Sequence, residues 1–169
     1  MVYVLGIDLG TQGARAMISD LAGRVAAEGS HPLPTTQVTP ASAGVFEQDP
    51  RLWREATLRA IAEAVAALTR RGHSPSEIGA LSATSTSGTL CLVDETGAPI
   101  GPAIMYSDTR ATAIAAEVQA AGADVAERLG IAYNASYALC KLAWLQRADP
   151  GRVDRARWFL SPTDLILGW

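Results

Sequence analysis

The chemistry-bearing residues nearest the N-terminus fall within one stretch, GIDLGTQGARA, residues 6–16. Asp8 offers a carboxylate, Gly10 and Gly13 a backbone that a ligand can approach closely, Thr11 and Gln12 side-chain donors, and Arg15 a guanidinium. Glycine-rich loops aim backbone N–H groups at phosphate oxygens. A neighbouring carboxylate can hold Mg2+ directly or through water, and arginine adds charge stabilisation. The set suits a phosphate ester with a bound cation. Neither G-x-x-x-x-G-K-[ST] nor G-x-G-x-x-G opening a helix is present; here the glycines join two strands. On the residues alone, a glycine-rich hairpin turn with an acid at its edge stays open, as does a surface strand position for Arg15.

The elements that position this loop follow from patterning. Residues 2–8 form a nearly unbroken apolar run and read as a strand buried on both faces. Residues 14–19 read as a second strand, 20–23 as a turn and 24–30 as a third strand, an antiparallel meander whose first loop is 9–13. Residues 31–48 carry prolines, threonines and serines and read as an extended surface segment. Asp49 can cap a helix with Pro50 at its first position. Trp53, Ala56, Ala60, Ile61, Ala64, Val65 and Leu68 recur on one face, Arg70 and Arg71 suit the last turn, and Gly72 can close it. Strands are predicted over 79–84, 89–94 and 103–107, with a turn at 95–99. A helix is predicted from Thr109 to Gly122, then helices over 124–129 and 139–147, and starts at Asp149-Pro150 and at Ser161-Pro162. Strands first, then helix, strands and helices, make an α/β fold with a mixed sheet.

Composition narrows the class. A chain of 169 residues with 49% hydrophobic content can bury a proper core. A net charge of -3 and pI ≈ 5.3 leave no basic surface for nucleic acid. Cys91 and Cys140 sit in apolar runs and read as buried small hydrophobes rather than a disulfide framework or zinc set. No apolar run approaches the ~18–20 residues of a membrane span, and the start lacks a basic n-region. These features predict a reducing, cytoplasmic setting with no membrane partner.

Several further segments carry a resemblance. GIDLGTQGARA is similar to the first phosphate motif of the sugar kinase, actin and heat-shock ATPase superfamily, in which a β-hairpin clasps nucleotide phosphates. Within it the chain resembles the FGGY family of carbohydrate kinases. FEQDPRLWREA (46–56) is similar to that family's E-Q-D-P-x-x-W segment. Residues 83–111 resemble its sugar-contacting turn, strand, D-x-x-G turn and W-x-D-x-R segment, with Tyr106 where tryptophan is frequent. Residues 136–167 resemble its S-x-x-x-K-x-x-W-L helix and F-L-x-P-x-D motif. The resemblance runs nearly end to end and implies a ribonuclease H-like (actin-like ATPase) domain, here incomplete.

The resemblance also implies roles. Asp8 matches the aspartate that organises Mg2+; Gly10, Thr11, Gln12 and Gly13 match the ATP-phosphate turn, Gly13 departing from the usual serine or threonine; Arg15 ends the motif. Thr86, Ser87 and Gly88 match the sugar turn, where glycerol kinases present arginine and glutamate and xylulose kinases methionine and histidine. The small turn TSTSGT is nearest to that of ribulose-type kinases. Asp108 matches a sugar-hydroxyl acceptor or caps the following helix, and Lys141 matches a lysine near the sugar or lies on the surface with its stem buried. The serine and threonine residues of the turn can equally satisfy their own backbone. Ser136 replaces the tyrosine of glycerol kinases. The catalytic base of the family matches nothing in these residues, and the helix at Ser161 meets the last residue, Trp169, soon after it starts. The expectation is the first part of an ATP-dependent ketopentose kinase, D-ribulose its best-matched substrate, inactive as this piece alone. A non-catalytic sugar-binding protein and a chaperone- or actin-like ATPase are the competing readings, and a homodimer is an open assembly.

Overall fold

The computed structural model describes residues 2–35 and 42–169. They divide into two compact units, one of residues 2–35, 51–86 and 162–169, the other of 42–50 and 87–161.

The first unit is built on a four-stranded sheet of β1 (Tyr3–Gly10), β2 (Gly13–Asp20), β3 (Val25–Pro32) and β5 (Ile78–Ser85), in the order β3-β2-β1-β5. β1 pairs antiparallel with β2 and parallel with β5, and β2 antiparallel with β3, so the sheet is mixed as expected. The predicted loop at 9–13 is tighter than expected: Gly10 pairs with Gly13 and only Thr11 and Gln12 connect the strands. β1 is also not buried on both faces. Tyr3, Leu5, Ile7 and Leu9 are buried, whereas Gly6 is exposed and Val4, Asp8 and Gly10 are half-buried. The two-residue period separates a core face from an open face, and Gly6 and Asp8 give the open face little apolar side chain to bury.

Helix α1 (Pro50–Arg70) covers the core face with Trp53, Ala56, Ala60, Ala64 and Leu68. Its small alanines allow close approach, and Glu63 accepts a bond from the Ser30 N–H of β3 at 2.9 Å. α1 ends as predicted: Gly72 N–H donates to Thr69 O (2.9 Å) and His73 N–H to Leu68 O (3.4 Å). A 3-10 turn at Pro75–Glu77, capped by Ser74, leads into β5. Leu81 of β5 is 57% exposed at the sheet edge. Helix α6 (Pro162–Gly168) returns to β5, where Thr163 Oγ1 and Ser85 Oγ lie 2.7 Å apart.

The second unit holds two small sheets, β4 (Glu47–Gln48) with β7 (Ala103–Ile104) and β6 (Cys91–Val93) with β8 (Trp158–Leu160). Helices α2 (Thr112–Ala121), α3 (Ala123–Leu129), α4 (Ala138–Ala148) and α5 (Pro150–Asp154) complete it. Its core joins Leu90, Leu92, Ile104 and Leu145, with a second cluster at Ala111, Ala115 and Cys140. Asp149 caps α5 by accepting from Arg152 N–H at 3.0 Å, as its Asp-Pro start predicts. Three expectations are corrected. Only 103–104 of the predicted 103–107 strand pairs as strand, because the chain turns at Asp108, whose N–H donates to Met105 O. α2 begins at Thr112 rather than Thr109, because Asp108 and Thr109 are spent in that turn. Within the expected extended segment 31–48, residues 31–32 finish β3 and 47–48 form β4; 36–41 lie outside the described residues.

Candidate functional site

In the first unit, the β1–β2 hairpin positions the predicted phosphate-binding residues. Asp8 and Arg15 are cross-strand partners on the open face, and Arg15 Nη1 donates to Asp8 Oδ2 at 3.2 Å. Both side chains are open to solvent, 47% and 70% exposed, so their attraction is screened. Gln12 is exposed and Thr11 half-buried at the tip. Gly10 has room: a Cβ there would come no closer than 3.7 Å to Gly13 O. Gly13 has none. A Cβ at Gly13 would stand 2.5 Å from His31 O and 2.9 Å from Pro32 Cα, so β3 excludes the serine or threonine expected at this point of the motif. The tip is further tied down by Leu33 N–H, which donates to Gln12 O at 2.9 Å.

No cluster of three or more His, Cys, Asp or Glu suited to a metal occurs among the described residues. Mg2+ keeps several waters and takes one or two carboxylates plus substrate phosphates. A single open carboxylate on a polar hairpin, Asp8, fits that need.

In the second unit, Ser87, Gly88, Tyr106, Ser136, Tyr137 and Ala138 line a cavity of about 570 Å3. Ser87 and Gly88 were predicted to face substrate. Tyr106 and Ser136 were noticed in the sequence only as departures from a motif, and Tyr137 and Ala138 were missed; they open α4, whose start carries no capping signal because Tyr137 makes no side-chain cap. Thr89, 1% exposed, accepts from Tyr106 N–H at 3.2 Å and so sets the aromatic wall. Asn134 Oδ1 accepts from both Ser136 N–H and Ser136 Oγ. Gly88 has φ 74, and a Cβ there would overlap the Ser136 carbonyl oxygen.

Asp108 and Lys141 are buried and are not among the lining residues. Asp108 is 1% exposed and its oxygens are taken: Phe46 N–H donates to Oδ2 at 2.9 Å, and Arg110 donates from its backbone and from Nε at 3.0 Å. Arg110 also reaches Glu47 at 2.6 Å and stacks over Trp144 at 4.4 Å. Burial opposes its charge, but the hydrogen bonds it donates to Asp108 and Glu47 raise its pKa above the ordinary arginine value. Asp108 thus ties the 105–110 turn to β4, whose Glu47 pairs with Ile104 of β7. Lys141 is 0% exposed, and its Nζ donates to Ala135 O at 2.7 Å. Burial lowers its pKa to about 8, against a favourable field from Asp108. Thr86 follows β5 in the first unit and carries its own polar interaction.

Comparison with known proteins fits these features. The profile of the family described as "FGGY family of carbohydrate kinases, N-terminal domain" matches residues 3–169. A glycerol kinase of Paracidovorax citrulli (strain AAC00-1) is 33% identical over 155 residues, 89% of this chain and 29% of its own length. A xylulose kinase of Streptomyces rubiginosus is 31% identical over 167 residues, 96% of this chain and 32% of its own. The crystal structure of a xyloylose kinase from Brucella ovis superposes with a TM-score of 0.88 at 28% identity, covering 99% of this chain and 34% of that one. The chain therefore spans about a third of the length of these relatives, and over that span it shares the fold of the Brucella ovis structure.

Proposed function

The chain belongs to the FGGY family of carbohydrate kinases, and on that premise we propose that it contributes the sugar cavity and the phosphate hairpin to an ATP-dependent kinase of a ketopentose or related polyol, with D-ribulose the best-matched substrate. The cavity carries this reading. Its wall at Ser87 and Gly88 is small and hydroxyl-bearing, so it leaves room for a polyol longer than glycerol and can both donate and accept hydrogen bonds. Tyr106 supplies the flat apolar face against which a sugar's C–H surface can rest.

In the first unit, Thr11, Gln12 and the backbone of Gly10 and Gly13 take the ATP phosphates, and β3 lies too close to Gly13 for a side chain there. Asp8 would help to hold Mg2+, which would neutralise charge on the nucleotide phosphates. Arg15, 3.2 Å from Asp8, is free to turn toward phosphate once Asp8 is engaged elsewhere. Asp108 is assigned to holding the 105–110 turn, and through it Tyr106, rather than to accepting from sugar hydroxyls. No residue of this chain is assigned as the base that takes the sugar proton.

The test is phosphoryl transfer by the protein as its natural gene encodes it, with MgATP and D-ribulose, L-ribulose, D-xylulose or glycerol. Preference for a pentulose over glycerol supports the reading. ATP turnover that no polyol accelerates overturns it.

A further inference from the structure

Two observations in the second unit meet at one backbone segment. The first is steric. Gly88 has φ 74, a conformation unfavourable for side-chain-bearing residues, and a Cβ there would overlap the Ser136 carbonyl oxygen. A side chain at 88 and the Ser136 carbonyl therefore exclude one another, and Gly88 and Ser136 both line the cavity. The second is electrostatic. Lys141 is the only lysine of the chain and is fully buried, yet its Nζ is spent on a backbone carbonyl, Ala135 O, at 2.7 Å. A buried amine is costly unless bonded, and the bond it makes lands one residue before the carbonyl that seats on Gly88. Asn134 bonds within the segment, to Ser136 and Tyr137, but these bonds do not tie it to α4's interior; Lys141 does.

We propose that Lys141 is a positioning residue for polyol selection: by holding the Ala135 carbonyl it seats Ser136 against Gly88, so that Ser136, not a side chain at 88, forms the wall that decides which polyol fits. The inference rests on the sugar reading of the cavity given above. The wall then keeps one shape, where a side chain at 88 would displace Ser136 from it. Loss of the tether lets the segment lift, and the cavity loses shape before it loses volume.

The experiment compares wild type with Lys141→Met, Lys141→Arg and Gly88→Ala in the protein as its natural gene encodes it, measuring KM and kcat for D-ribulose, D-xylulose and glycerol alongside amide hydrogen exchange of residues 134–138. In Lys141→Met, exchange in this segment rises and KM for the preferred polyol rises about tenfold, more than kcat falls, while the poor substrates change little. Lys141→Arg, which keeps a charged donor, recovers part of the selectivity. Gly88→Ala displaces the same carbonyl from the other side and flattens the ranking in the same way. A folded Lys141→Met that keeps wild-type exchange and ranking overturns the inference while leaving the sugar reading standing. If Lys141→Met does not fold, an unchanged ranking in Gly88→Ala overturns it. No polyol dependence in wild type overturns the sugar reading and this inference together.

Discussion

Arg15 Nη1 lies 3.2 Å from Asp8 Oδ2, directly across the hairpin, and both side chains stand on the open face of the sheet. An exposed pair of this kind contributes at most about 1 kcal/mol. Asp8→Ala is therefore expected to leave the melting temperature within a few degrees of wild type, to retain polyol-induced stabilisation, and to lower phosphoryl transfer by at least about 100-fold, in the range seen when a charge-stabilising group is removed. Thermal melts with and without D-ribulose, beside a turnover assay, check this. Parallel loss of stability and polyol response would make Asp8 structural.

The hairpin glycines separate by what surrounds them. Gly13→Ser would place a Cβ 2.5 Å from His31 O, and the resulting shift of β3 is expected to cost ~1–3 kcal/mol. Gly10→Ala meets only Gly13 O at 3.7 Å and is expected to stay within about 0.5 kcal/mol. Urea denaturation of the two variants distinguishes them, and equal losses would contradict the packing of β3 on Gly13.

Arg110 neutralises Asp108, which is 1% exposed. Removing one partner of a buried pair leaves the other without its direct ion-pair partner, at a cost of ~3–5 kcal/mol. Arg110→Ala is expected to lose about that much stability by chemical denaturation, including what the stacking on Trp144 provided. An effect confined to KM, with unchanged stability, would return Asp108 to the sugar.

Lys141 makes stability depend on pH. Its pKa falls from 10.5 to about 8 on folding because burial disfavours the charge. The unfolded chain then binds more protons than the folded one between these values, so this group's contribution rises with pH across about 8 to 10.5, by up to ~1.4 kcal/mol per unit. Below pH 8 its penalty is present in full. Asp108 and Cys140 face the amine, and burial holds the Cys140 thiol above 9.0, so the comparison is made in a Cys140→Ser background. The stability of wild type relative to Lys141→Met should climb over this window; a flat difference would show that the amine is not desolvated.

Much of the fold was legible because it is written in local chemistry. The apolar run that marks β1, though not its one-sided burial, the glycines bounding Thr11-Gln12, the alanine-rich face of α1 and the Asp-Pro start of α5 each act within a few residues. The strands β4 and β8 went unread, since two- and three-residue strands carry no period and exist only through partners at 103–104 and 91–93. The candidate site divides in the same way. The residues of the hairpin stand out by type and spacing, whereas those of the 86–88 turn come only through the resemblance to the family.

Burial and long-range contact decided the rest. Asp108 looks like a free carboxylate until Phe46, 62 residues away, and Arg110 occupy its oxygens. Gly13 looks like flexibility and is instead a close approach of β3, while Gly88 is held by a carbonyl that arrives with residue 136. Sequence by itself determined which groups are present and which local structures they favour, because propensity, capping and periodicity act between neighbours. Tertiary structure alone decided which of those groups face a ligand and which hold the frame, because desolvation and steric exclusion depend on residues the chain brings together only on folding.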